Sequence, residues 1–204
     1  MARDIRPIVK QSRREGYALH PKAHKVLARK AGAPGAHPFV RGKGSLYLTQ
    51  LREKQKVRRI YGLLEKQFAN LMKKASRMEG LAGQNLLVLL ERRLDNTVYR
   101  AGFSTSRRGA RQLVSHAHFT LNGKRVDIPS IVVSAGDVIE VRARSQKSGY
   151  FSTLNDIIGN SVQKPLSWLN VDPKKMKIEV MGLPKREEAE DGINEQLIVE
   201  FYSR

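Results

Sequence analysis

Hydrophobic residues are sparse and aperiodic over residues 1–44, fall at helical spacing from about 45 to 117, and then alternate in short runs. In the middle stretch, Leu48 and Leu51 open a helix that continues through the charged run 52–59, with an exposed face that is almost wholly basic. Leu64, Phe68, Leu71, Met72 and Ala75 predict a second helix, which Gly80 and Gly83 break. Asn85 is placed to cap a third helix, whose apolar stripe is Leu86, Leu87, Leu90, Leu94 and Val98 and whose stop is Gly102. Ser104, Thr105 or Ser106 caps a fourth, over 107–117, with Ala110, Leu113, Val114 and Ala117 inward.

The period then changes. Residues 119–121 and 124–128 flank Asn122-Gly123, a strong two-residue hairpin signal. A further strand pair is expected at 131–133 and 138–142, joined through Ala135-Gly136-Asp137. Beyond Gly149, Trp168 and Leu169 are expected in a core and 177–180 as a strand. The last segment, with Ile193, Leu197, Ile198 and Phe201, is spaced for a helix capped by Asp191 or Asn194; strand alternation of Leu197, Val199 and Phe201 fits as well. Residues 1–44, dotted with Gly and Pro, read as an extended basic arm with one short helix near 24–30, ordered by a partner.

Charge changes this picture most. The chain has 204 residues, with 38 Lys+Arg against 19 Asp+Glu, a net charge of +19. Residues 1–90 carry +15, residues 91–150 carry +6 and residues 151–204 carry −2. So polarised an excess calls for a polyanion. There are 0 cysteines, which excludes disulfides and thiolate metal sites and fits a reducing compartment. The N-terminus lacks the apolar core of a secretory signal, and the longest apolar run, 86–90, is too short to span a bilayer. A soluble intracellular protein is expected.

The candidate chemistry is recognition. Arg107 and Arg111 stand one turn apart on the fourth helix, opposite its apolar stripe, with Arg108 beside them; guanidiniums so spaced reach neighbouring phosphates. The hairpin projects Asn122, Lys124 and Arg125 from a rigid base. His20, His24 and His37 lack the carboxylates or thiolates that would complete a zinc site, so no metal and no cofactor is expected. Arg41-Gly42-Lys43-Gly44-Ser45 lacks the upstream glycine of a phosphate loop and has Gly44 where Ser or Thr must follow the lysine. Nucleophile elbows, HExxH and dinucleotide fingerprints are absent from the sequence, and no catalytic residue is assigned. An RNA-modifying enzyme or tRNA ligase would need a catalytic domain for which little chain remains. A free-standing RNA chaperone would bind RNA without being a stoichiometric part of a larger particle.

Several segments together resemble the bacterial small-subunit ribosomal protein S-four family over nearly the whole chain. They are Ser12-Arg13-Arg14-Glu15-Gly16, Ala33-Pro34-Gly35-Ala36-His37, Leu51 to Lys56 with Tyr61-Gly62, Arg93-Leu94-Asp95-Asn96, Ala110 to His116, and Asn194 to Ser203. The resemblance implies an α+β fold: a mainly helical lobe with an inserted RNA-binding module of two helices on a small antiparallel sheet, plus the extended N-terminal arm. The arm would be 1–44, the lobe 45–90 completed by 155–204, and the module 91–154. It implies a structural, monomeric, non-enzymatic protein of the cytoplasmic small ribosomal subunit that binds early to a multi-helix junction in the 5′ domain of 16S ribosomal RNA and nucleates assembly. It also implies contact with ribosomal protein S-five, a place beside the channel through which messenger RNA enters, and an effect on translational accuracy.

The RNA-binding residues implied are Arg13, Arg14, Arg52, Lys54, Lys56, Arg58, Arg59, Arg93, Asp95, Ser106, Arg107, Arg108, Arg111, Gln112, Ser115, His116, Asn122, Lys124 and Arg125, with Arg41 and Lys43 lining the messenger's path. Two departures stand out. The zinc-binding cysteines of some relatives are missing, so RNA would have to hold the arm. The usual Pro-Gly-Gln-His-Gly is Pro34-Gly35-Ala36-His37-Pro38 here.

Overall fold

The computed structural model describes residues 4–30, 32–36, 44–154 and 166–203. The chain forms two compact units, one of residues 2–86 with 190–204 and one of residues 87–189.

The first unit is helical. Its helices are α1 (Ile8–Glu15), α2 (Pro21–Arg29), α3 (Leu46–Ile60), α4 (Glu65–Ala75), the start of α5 (Ala82–Glu91) and the C-terminal α10 (Glu195–Tyr202). The N-terminal segment is therefore not an extended arm over its described part. Gly16, in the left-handed region at φ 62°, ends α1, and the His20 ring nitrogen accepts from the Lys22 N–H to cap α2. The short helix expected near 24–30 is α2, whereas α1 is held by polar groups, which explains why apolar periodicity misses it. Gln11 and Ser12 are buried, the Ser12 hydroxyl accepts from the Leu19 N–H, and the Glu15 carboxylate takes both Arg52 and Arg59 of α3.

The exposed basic face expected of α3 also differs. Lys54 and Arg58 are buried; Lys54 binds Glu65 at 2.6 Å, and Arg58 donates to the Gln55 side chain and the Leu63 carbonyl. Gly83 does not break a helix but lies within α5, and Asn85 is no N-cap. The Asn85 amide donates to the Glu79 carbonyl at 3.0 Å and lies near those of Ala75 and Met78, closing the segment after α4. Asn194 caps α10 by accepting from the Gln196 and Leu197 amides, so helix wins over strand there.

In the second unit, α6 (Leu94–Arg100) and α7 (Arg107–Ser115) pack on an antiparallel sheet of order β2-β1-β3-β5-β4. Its strands are β1 (Phe119–Leu121), β2 (Lys124–Val126), β3 (Val138–Val141), β4 (Leu169–Asp172) and β5 (Lys177–Val180), with the single-turn helices α8 (Ala143–Gln146) and α9 (Gly149–Ser152) after β3. One core joins Leu94, Val98, Ala110 and Val114 to Phe119, Ile139, Ile178 and Trp168.

The expected helix from Asn85 to Gly102 is interrupted at Arg93, whose ψ of 136° is extended. Here Leu94 donates to the Ile131 carbonyl at 2.8 Å and Val133 to that of Arg92 at 2.9 Å. That pairing takes up the 131–133 segment, which contributes only a bridge from Val132 to Arg93. It does not pair with 138–142, because β1 and β5 occupy both edges of β3. Because β4 and β5 extend the sheet, only 190–204 returns to the helical unit; the expectation gave it all of 155–204.

Candidate nucleic-acid interface

The break at Arg93 builds the interior of the candidate interface. It sets Arg93 and Asp95 in a two-bond pair, at 3.1 and 2.9 Å, and Arg111 of α7 adds a third contact to Asp95 at 3.3 Å. All three side chains are buried. Beside this triad, buried Glu91 receives Arg100 through two bonds at 2.8 and 2.9 Å, and Asn96 at 2.7 Å. Asn96 Oδ1 in turn accepts from Arg107 Nε at 2.8 Å, and the Arg107 guanidinium lies 4.5 Å from the centre of the Tyr99 ring. Arg107 and Arg111 thus do not form the exposed phosphate-facing pair expected of them. One is buried and the other is held against α6.

What α7 does expose is Gln112, Ser115 and His116, with Arg108 half-buried. Ser106 caps the helix by accepting from the Gly109 N–H at 3.2 Å, so its hydroxyl is already engaged. At the hairpin, Asn122 and Gly123 both take positive φ, 50° and 78°, as a tight turn with the twist of its strands requires. Asn122 is structural: its side chain accepts from the Val138 N–H and donates to Asp137, both at 2.8 Å. Lys124 and Arg125 project exposed from β2 at the sheet edge. The His118 imidazole bonds Ser145; burial, then the charges of His116 and Arg142, lower its pKa.

In the helical unit, Arg14 is exposed, while Arg13 donates to the Gly32 and Ala33 carbonyls. Lys56 is held by Glu53 at 2.8 Å and the Gly192 carbonyl at 2.6 Å. Lys54 adds a contact over the Phe201 ring at 4.4 Å. Arg52, Arg58 and Arg59 are committed to Glu15 or Glu65. Two cations missed in the sequence, Arg6 and Lys10, stand exposed near α1. Arg41 and Lys43 lie outside the described residues. Among the described residues no cluster of His, Asp and Glu is placed to hold a metal, and no helix is long and apolar enough to cross a membrane.

A sheet backed by two helices, with polar and cationic side chains on one helix face and a hairpin, has the form of a nucleic-acid-binding module. Residues 3–91 match the family model described as Ribosomal protein S4/S9 N-terminal domain, and residues 92–139 that of the S4 domain. The chain is 52% identical to the small ribosomal subunit protein uS4 of Chlorobium limicola, 50% to that of Roseiflexus castenholzii and 49% to that of Syntrophomonas wolfei. Each alignment covers 100% of both chains. The chain belongs to the uS4 family of small ribosomal subunit proteins, which are structural and not enzymatic.

Proposed function

We infer that this protein nucleates assembly of the small subunit by binding a multi-helix junction in the 5′ domain of 16S ribosomal RNA. The carrying observation is the exposed set Gln112, Ser115, His116, Lys124 and Arg125, presented on rigid elements in a chain of net charge +19. A-form RNA hides base edges in its deep groove, so such groups read backbone geometry and shape. The site residues then divide by role. Arg14, Arg108, Gln112, Ser115, His116, Lys124 and Arg125 touch RNA. Lys54, Arg58, Arg59, Arg93, Asp95, Ser106, Arg107, Arg111 and Asn122 position them, and Arg13, Arg52 and Lys56 combine internal bonds with reach to the surface. Arg41 and Lys43 line the messenger's path, and a contact with ribosomal protein S-five links the protein to translational accuracy.

Filter binding of Lys124→Gln/Arg125→Gln to folded 16S rRNA tests the interface. Loss of two phosphate contacts weakens binding across sequences and lowers the salt slope by about 2. Undiminished binding removes the hairpin from the interface. Sedimentation with mass spectrometry of the small-subunit fraction tests the assignment itself: the protein should be there in one copy per particle.

A further inference from the structure

Asn122-Gly123 is the only Asn-Gly pair in the chain, and every other asparagine is followed by a residue with a side chain. The pair matters chemically because a glycine nitrogen, with no Cβ beside it, can attack the side-chain amide of the preceding asparagine. Both residues are exposed at the tip between β1 and β2, and a Cβ on Gly123 would meet nothing within 4 Å, so water has open access. The Asn122 amide is committed elsewhere. Its Nδ2 donates to Asp137 Oδ1 and its Oδ1 accepts from the Val138 N–H, both at 2.8 Å. Asp137 is fixed in turn: its Oδ2 accepts from the Ser134 N–H at 2.7 Å, and its backbone carbonyl from the Val180 N–H at 2.9 Å. The whole network lies at the surface, where water competes for each bond and local opening is cheap.

We propose that Asn122 is a site of spontaneous modification, the loss of its side-chain amide to water, and that Asp137 restrains the reaction by holding that amide away from Gly123. In the first step the Gly123 nitrogen bonds to Asn122 Cγ, the Cγ–Nδ2 bond breaks, and ammonia leaves with the Gly123 amide proton. Water then opens the five-membered imide at either carbonyl carbon. A hydrogen of that water returns to the nitrogen, and the product is aspartate or its β-linked isomer with one free proton. Both side-chain bonds must break first, because the amide cannot turn onto Gly123 while Asp137 and Val138 hold its two ends. The product cannot rebuild the network. A carboxylate at residue 122 has no proton to donate to Asp137 and sets a second negative charge against it. The β-linked isomer adds a methylene to the backbone and breaks the register that pairs Leu121 with Lys124. Either product loosens the base from which Lys124 and Arg125 project, so the change is a one-way release of the hairpin. It belongs to the free chain and stands whether or not the chain binds RNA.

The test incubates the full chain at mildly alkaline pH and follows the Asn122 peptide by mass spectrometry, with chromatographic separation of the two isomers. The wild type should gain acid at Asn122 ahead of Asn70 and Asn170, and faster in urea than when folded. Asp137→Ala should speed the loss in the folded chain by roughly tenfold to a hundredfold, the range set by one hydrogen bond to a charged group. Circular dichroism checks the fold. If Asp137→Ala loses helix content, Asp137→Asn, of the same size but without the charge, carries the comparison. An unchanged rate overturns the restraint, and a slower one does so too, since it means that the carboxylate assists the chemistry. An Asn122 that stays intact in urea, while a short peptide of residues 119–126 reacts, overturns the site. Hydrogen exchange tests the release: the Val138 amide should exchange faster in the aged chain than in the fresh one, and equal exchange means that the hairpin stays closed.

Discussion

Asp95 is a single carboxylate between two buried guanidiniums, those of Arg93 and Arg111. Its removal leaves two like charges without a counter-ion in a region that water does not reach, which is worse than losing either arginine. Asp95→Asn is therefore expected to destabilise the fold by about 3–5 kcal/mol in urea unfolding, and Arg111→Ala by less. A loss below about 1 kcal/mol for Asp95→Asn would mean that the triad is hydrated. Asp4 makes a different residue-scale case, because its effect depends on pH. The Arg6 guanidinium, through its hydrogen bond, holds the Asp4 carboxyl well below the usual carboxylate range, against the opposing effect of burial. A depressed folded-state pKa adds stability that is full above the unfolded value, near ~3.9, and fades as pH falls through the folded one. Asp4→Asn should thus lower Tm at pH 6, and the gap to wild type should close as pH drops from about 4 towards 2. A gap that is constant over that interval counts against the Asp4–Arg6 pair.

Elements that bury an apolar stripe were legible in the sequence, and those held by polar contacts were not. Helix α4 with Phe68 and Met72, helix α7 with Ala110 and Val114, and the Asn122-Gly123 hairpin all follow from period and turn chemistry. Helix α1 buries Gln11 and Ser12 instead, so a stripe rule finds nothing there. The interruption at Arg93 depends on pairing with Val132, nearly forty residues away, which no local window contains. The candidate site divides in the same way. Sequence locates cations but not the carboxylates that reach them from elsewhere, so Arg111 and Lys54 read as surface groups. Gly83 shows the same blindness at a helix crossing. A Cβ there would lie 2.8 Å from both Cβ and Cγ of Glu195, the first residue of α10. Alanine's better helix propensity favours Gly83→Ala by about 1 kcal/mol. The clash is with an atom fixed to the backbone, and relieving it costs about 1–3 kcal/mol. The net outcome expected is a lower Tm; a raised Tm would mean that α10 shifts freely.

For the whole molecule, the net charge of +19 overstates how many phosphates the protein can hold. Counter-ion release scales with phosphates contacted, not with formal charge. Lys54, Arg58, Arg59, Arg93, Arg100 and Arg111 are all engaged by carboxylates of the chain itself, mostly with little exposed surface. These pairs hold α3 within the helical unit and α6 with α7 in the other, and opening those of Glu15, Glu91 and Asp95 to reach RNA would leave buried carboxylates unpaired. The exposed cations are spread over both units, from Arg6 to Lys185, and one RNA surface meets only part of them. If they engage about 6 phosphates, log affinity for folded 16S rRNA should fall by about 4–5 per tenfold rise in salt. Were every excess positive charge on a phosphate, the fall would be near ~13–17. Titrating binding between 50 mM and 500 mM salt distinguishes the two regimes. A slope beyond about 10 means that the internal pairs open on binding and that the protein refolds around its RNA. A slope near 4–5 means a rigid body that meets RNA with surface groups alone, as its buried pairs dictate.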